Sequence, residues 1–308
     1  MITPSPHIKD TTDTPQIMLT VVLALVPALA AAIYYFGFRV LALTLICVLS
    51  CMIFECLFAR ATGREDTIKD CSAIVTGVIL AFNLPVTIPF WMAMFGSFIA
   101  IVVVKCLFGG IGCNFANPAA TARIFLLVSF ATPMTNWAAP RGVDAAATAT
   151  PLNLIANGAT DQLPSLVQML IGQRGGSMGE TCAIALIAGG VFLIWKGIIH
   201  WQIPVSVIAS VFVFALLFGQ DPVYAVLSGG VMIGAFFMAT DYSTSPVTDK
   251  GAIIFGIGIG FITMVIRTFC SYPEGMSFAI LLMNILVPHI DSLTINKPFG
   301  AVFEQKAK

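Results

Sequence analysis

Ten apolar runs, each bounded by glycine, proline or charge, occupy most of this chain: 17–36, 40–59, 71–83, 89–107, 118–131, 181–195, 203–218, 222–239, 251–271 and 276–290. In a bilayer core no water reaches the peptide groups, so such runs must close their own backbone hydrogen bonds as helices. A crossing takes about 20 residues of this kind. Of the 308 residues 58% are hydrophobic and 10% charged, where a soluble domain carries roughly a quarter charged. Mean hydropathy is +0.95. This profile excludes a soluble globular domain, a disordered chain and a peripheral protein. With 15 basic and 15 acidic residues, no charge excess points to nucleic acid. The chain reads as an all-α integral membrane protein of about ten spans.

Charge orients it. With the amino terminus in the cytoplasm and sides alternating, the inner face collects Lys9, Arg60, Arg64, Lys69, Lys105, Arg123, Lys196, Lys250, Lys297, Lys306 and Lys308. The outer face collects Arg39, Arg141, Arg174 and Arg267. That bias is the positive-inside pattern, and it puts both termini inside and the long 132–180 interval outside. Five spans on each side of that interval give halves of opposite orientation, the arrangement of an inverted repeat. The expected division is 1–131, the extracytoplasmic loop 132–180, and 181–308. GGIGCNFANPAATAR (109–123) and GGVMIGAFFMATD (229–241) are the segments expected to correspond between halves. The start, MITPSPHIKDTTDTP, lacks the basic region and apolar run of a cleaved signal, so the first span is expected to direct insertion.

Eight cysteines form no CxxC and no Cys/His cluster; Cys47, Cys51, Cys56, Cys106, Cys182 and Cys270 fall inside apolar runs and Cys71 and Cys113 at their edges, and all read as single thiols. Two polar islands carry more information. Residues 109–118, GGIGCNFANP, cannot form a continuous helix, and Pro118 suits the first turn of a new one. Asn114 and Asn117 are either caps of a helix-to-helix turn or amides offered to an uncharged heterocycle. Arg123, further along, reads as a snorkelling cytoplasmic anchor. The second island, 238–249, follows an apolar run directly, and Asp241 at a helix C-terminus calls for a donor partner. The alternative is an ordinary Ser/Thr-rich turn. In the outer interval, DAAATATPL (144–152) is small and polar, with hydroxyls that an enzyme could reach. Glu55 is a carboxylate inside an apolar run. It is either an ion-coupling group or an interfacial residue paired with Arg60.

NPAATAR (117–123), DAAATATPL (144–152) and FMATDYSTSPVT (237–248), with SPHI at 5–8 and LPVTIPFW at 84–91, resemble the RnfD/NqrB family over nearly the whole chain. The short amino-terminal extension is closer to the RnfD branch. That resemblance implies ten helices in an inverted repeat, in a multi-pass subunit of a bacterial or archaeal plasma-membrane complex. The implied activity is electron transfer between ferredoxin and NAD sides, coupled to Na⁺ or H⁺ movement. The implied partners are the other Rnf subunits (A, B, C, E and G) and the lipid bilayer, with no nucleic acid. The family carries FMN on a threonine in a motif like S-G-A-T. The matching window is Ala147-Thr148-Ala149-Thr150, which maps the phosphoester to Thr150 and leaves Thr148 as the alternative acceptor. A second, noncovalent flavin, riboflavin or FMN, maps to Asn114, Asn117, Thr240 and Asp241. No NAD site and no metal site is expected on this chain. GIGIG (256–260) lies within a span, where close helix packing explains it. The competing readings are an NqrB-like quinone reductase component and, from a different class, a secondary transporter or channel.

Overall fold

The computed structural model describes residues 13–64, 67–141, 150–157, 163–270 and 274–294. The SPHI motif, Thr148, the segment 144–149 and Lys9, Lys297, Lys306 and Lys308 lie outside the described residues. Among the described residues every regular element is helical. In order they are α1 (Thr14–Phe36), α2 (Arg39–Thr62), α3 (Ser72–Phe82), α4 (Phe90–Phe98), α5 (Pro118–Ser129), α6 (Ala131–Thr135), α7 (Pro151–Ala156), α8 (Leu166–Ile171), α9 (Ala183–Trp195), α10 (Gln202–Leu217), α11 (Pro222–Leu227), α12 (Val231–Ile233), α13 (Asp249–Phe269) and α14 (Met276–Thr294). Four of them, α1, α2, α13 and α14, are long and apolar enough to cross a membrane; Ser72–Phe82, Phe90–Cys106, Pro118–Ser129, Ala183–Trp195 and Gln202–Leu217 are shorter apolar helices.

Local chemistry sets the starts. Asn117-Pro118, Thr150-Pro151 and Asp221-Pro222 each open a helix, with a side-chain oxygen accepting from the first-turn amides and proline where its missing N–H costs nothing. Outward faces are apolar: Leu45, Leu49, Ile53 and Leu57, four residues apart on α2, are each more than half exposed.

Where lipid is as apolar as leucine, helices associate through close packing of small residues. A Cβ at Gly256 or Gly260 of α13 would fall 1.8 Å or 1.9 Å from the Ser206 or Ser210 hydroxyl of α10. One at Gly189 of α9 would fall 2.3 Å from the Ala24 carbonyl of α1, and one at Gly77 of α3 2.7 Å from the Val48 backbone of α2. The glycines of GIGIG are packing residues.

Two helices leave the α-form near their cytoplasm-assigned ends. Helix α4 continues as a π-helix over Ile99–Cys106, and α12 as a π-helix over Gly234–Met238. Gly109 and Gly110 end the first of these, whereas Gly229 and Gly230 precede the second, and all four have positive φ. The two Gly-Gly segments paired by sequence therefore play different parts: one terminates a helix, the other interrupts one.

That interruption, between α11 and α12, is held by buried charge. Arg267 donates to the carbonyls of Ala225 (2.6 Å), Ser228 (2.8 Å) and Gly229 (3.2 Å), and Arg174 donates to Leu227 and, at 2.5 Å, to Glu180. Guanidiniums thus cover the C-terminal end of α11, where the free carbonyls and the negative dipole end lie. The Glu180 carboxylate stands 3.0 Å from where a Gly230 Cβ would be, beside the N-terminal end of α12. Arg123 closes the cluster. It donates to Asn83 (3.1 Å) and Ser277 (3.2 Å), pairs with Glu274, and lies 3.9 Å from Glu180. Gly229 is held by space as well as by conformation, since its Cβ would meet Leu152 at 2.2 Å and Arg267 at 2.5 Å.

Two cations assigned by sequence to the inner interface are therefore not there. Arg123 is 4% exposed and Lys105 is 2% exposed, both inside the bundle. A cation at the edge of an apolar run looks the same in sequence whether it snorkels outward or turns inward to a carboxylate.

Two outcomes follow from this packing. Gly260→Val forces a branched side chain into the Ser210 hydroxyl, and overpacking of this kind costs about 1–3 kcal/mol; a thermal denaturation midpoint in detergent equal to that of the unaltered chain would show that α10 and α13 do not need the contact. Arg123→Met strands two carboxylates, and breaking a buried pair costs about 3–5 kcal/mol. The same melt is expected to show the larger loss, and an unchanged midpoint would remove the cluster from the stabilising interactions.

Candidate binding cavity and comparison with known proteins

The two polar islands meet. Ending α4 at Gly109 and starting α5 at Asn117 leaves residues 111–117 as an irregular connection. The π-turn Gly234–Met238 delivers Thr240 and Asp241 to the same place. Between them lies a cavity. Its apolar wall comes from α1 (Val21), α3 (Val75, Ile79), the end of α9 (Leu193) and the second π-turn (Phe236, Phe237). Its polar wall holds Ser72, Thr76, Lys105, Asn114, Asn117, Thr240, Asp241 and Ser243. A lining that mixes apolar and polar groups suits an amphipathic heterocycle.

The four cavity residues named from sequence are brought together, with different freedom to bind. Asn117 is committed: its Oδ1 accepts from Ala120 N (3.0 Å), capping α5, and its Nδ2 donates to the Met238 carbonyl (3.0 Å). Thr240 donates to the Phe236 carbonyl (2.7 Å). Asn114 is freer, since its Nδ2 reaches Ser243 only at 3.5 Å and its buried Oδ1 has no partner. Asp241, half-buried in the loop after the π-turn, accepts from the hydroxyls of Ser243 (3.2 Å) and Thr244 (3.3 Å). That is the Ser/Thr-rich turn considered above, and it also presents the carboxylate to the cavity. Burial pushes the Asp241 carboxyl up from its ordinary range, and the Ser243 and Thr244 hydrogen bonds oppose this.

Three participants escaped sequence reading. Ser72 and Lys105 line the polar wall and bond each other at 2.6 Å. Asn284 of α14, with its amide turned to satisfy both ends, donates to the Thr244 carbonyl (3.1 Å) and accepts from Asn117 N (2.9 Å), tying the islands together. A lone asparagine inside an apolar run was the available signal.

Glu55 is 2% exposed and does not pair with Arg60, which faces outward. Its Oε1 accepts from Lys105 Nζ (2.7 Å) and from Thr67 (2.5 Å), while its Oε2 is buried without a partner. Helix direction explains the difference: Glu55 lies on the face of α2 that packs against the first π-turn, and Arg60 does not.

On the other side of the broken helix, Thr150 is the N-cap of α7. Its Oγ1 accepts from Asn153 N (3.3 Å) and the residue is 4% exposed. Leu152, two residues on, packs beside Arg267. A phosphoester oxygen at Thr150 keeps its acceptor role toward Asn153, but the attached group has to displace what covers the hydroxyl. Of the cysteines, Cys47, Cys51 and Cys106 are buried and Cys113 and Cys270 exposed; among the described residues none is paired and no group of His, Cys, Asp and Glu is placed to hold a metal.

The chain is similar to known proteins over nearly its whole length. The D component of the Na⁺-translocating ferredoxin:NAD⁺ oxidoreductase complex of Acetobacterium woodii is 49% identical over 97% of this chain and 95% of its own length. The D component of the proton-translocating ferredoxin:NAD⁺ oxidoreductase complex of Clostridium ljungdahlii is 40% identical over 97% of this chain and 96% of its own. The D component of the ion-translocating oxidoreductase complex of Cellvibrio japonicus is 37% identical over 96% and 94%. Residues 1–300 match the NQR2, RnfD, RnfE family. A chain aligned end to end with that family and with these D components is a member of the NQR2, RnfD, RnfE family.

Proposed function

We propose that this chain is the flavin-carrying, multi-pass membrane subunit of an Rnf-type complex. In this reading it relays electrons between ferredoxin and NAD sides while the complex moves Na⁺ or H⁺, with the other Rnf subunits as its partners. The observation that carries the reading is the end-to-end similarity to the D components of such complexes. The cavity supports it, since both polar islands converge on one space with an orphaned acceptor at Asn114.

The proposed topology has ten crossing segments in two inverted halves of five, with both termini cytoplasmic. Removing the four buried cations from the tally leaves nine of the original eleven inside and two of the original four outside, so the bias that supports this orientation remains.

The residues fit a noncovalent flavin in the cavity, riboflavin or FMN. The apolar wall takes the faces of the ring. Asp241 offers an acceptor for the imide N–H and Asn114 an unspent amide, with Asn117 and Thr240 holding the frame. FMN is proposed at Thr150 through its phosphate. Bound flavin would supply one- and two-electron chemistry, and the protein would orient the ring. Glu55 is proposed as the ion-linked carboxylate, because its buried Oε2 has an open acceptor position.

Flavin content tests the two sites separately. Thr150→Ala is expected to abolish flavin fluorescence that survives denaturing electrophoresis, while the chain still assembles. Survival of that fluorescence, with its loss in Thr148→Ala, would move the attachment to Thr148. Asp241→Ala removes the imide acceptor, which costs about 1–3 kcal/mol, or roughly five- to hundredfold in affinity for extractable flavin. Undiminished extractable flavin would take Asp241 out of the pocket. For Glu55, the measurement is ion uptake and electron transfer in reconstituted complex carrying Glu55→Gln. Lost uptake with retained electron transfer is expected, and unchanged uptake would return Glu55 to a structural role.

A further inference from the structure

Lys105 is the cation that sequence placed at the membrane surface and that the structure places in the wall of the cavity. Only 2% exposed, it bonds Glu55 Oε1 at 2.7 Å and Ser72 Oγ at 2.6 Å. An ammonium has three N–H donors, so one remains beyond those two partners. The same pair is incomplete on its other side, where Glu55 Oε2 has no partner.

Position gives these loose ends a direction. Lys105 and Ser72 line the cavity that holds Asn114 and Asp241. Glu55 instead lines a second cavity, with Arg64, Thr67 and Gly109. The ion pair is thus part of the partition between two cavities, cation toward the first and carboxylate toward the second. Among the described residues lining the first cavity, Lys105 is the single cation and Asp241 the single carboxylate.

The backbone bears on this too. Lys105 sits in the π-helical turn Ile99–Cys106. Such turns have poorer hydrogen bonding than an α-helix and occur frequently at functional sites. A salt bridge serving only to join α2 and α4 needs neither a π-turn nor a cavity beside its ammonium.

We propose that Lys105 is a cationic contact of the molecule bound in this cavity, its remaining N–H meeting an acceptor edge of the ring and favouring the more negatively charged, reduced form over the oxidised one. The proposal rests on the flavin reading above and adds a residue and a role to it. Asp241 meets a donor edge and Lys105 an acceptor edge, which fixes the orientation of a ring that has both. Glu55 holds the lysine in place while the cavity is empty, which makes it a positioning residue.

The test is a redox titration of the extractable flavin in the purified complex. It compares the unaltered chain, Lys105→Arg, and the double variant Lys105→Met with Glu55→Gln, which removes both charges and leaves no buried carboxylate alone. The double variant is expected to retain flavin and to lose at least tenfold in preference for the reduced form, a fall in midpoint potential of about 30 mV for a two-electron couple. Lys105→Arg is expected to keep both flavin and potential. An unmoved potential in the flavin-loaded double variant overturns the proposal and leaves the pair purely structural. If the double variant loses its flavin, Lys105→Arg is the arbiter: retained flavin there supports a requirement for charge, and loss there too overturns it. Absence of extractable flavin from the unaltered complex is a different result, because it removes the flavin reading and this proposal with it.

Discussion

A helix that stops inside an apolar layer leaves carbonyls and amides that lipid cannot satisfy, and this fold depends on how it answers that. Between α11 and α12 the chain is interrupted at Ser228-Gly229-Gly230, and the exposed carbonyls are taken up by Arg174 and Arg267. Glu180 faces the restarting helix, and Arg123 joins it to α5 and to Glu274. Guanidiniums suit this role because each presents several donors in a rigid fork and stays charged when buried. The interruption lets the following π-turn descend to the cavity instead of continuing as a straight span.

The cavity depends on that geometry from both sides. Asn83, the C-cap of α3, accepts from Arg123 and donates to the Met238 sulfur at 3.4 Å, while Asn117 donates to the Met238 carbonyl. The residue that ends the second π-turn is thus held by two asparagines, one of them fixed by the arginine cluster. The broken helix and the binding cavity are mechanically one unit. Their polar side chains are mostly spent on the backbone and on one another, with spare capacity at Asn114, Asp241 and Lys105.

This division explains why family membership and site assignment rest on different grounds. Similarity over almost the full length shows the family, whereas the architecture is read from packing glycines, helix-opening X-Pro pairs and buried arginines spread along the described residues. The site lies in a few side chains whose freedom is visible only once their hydrogen bonds are traced. Asn117 and Asn114 sit three residues apart in the same motif, yet one caps a helix and the other is available.

Sequence alone determined that this is a helical membrane protein, where its apolar segments lie, that Pro118 opens a helix, and that the islands at 109–118 and 238–249 interrupt regular structure. Apolar periodicity and turn chemistry are local properties, and these features need nothing beyond neighbouring residues. Only the tertiary structure decided that the two islands face one cavity, that Glu55 pairs with Lys105 and not Arg60, and that Arg123 turns inward to Glu180 and Glu274. Each depends on which face of one helix meets which face of another across more than a hundred residues or a change of helical pitch. A charge at the end of an apolar run carries no mark of its partner. Burial and pairing belong to the pair, and the pair exists only in the folded bundle.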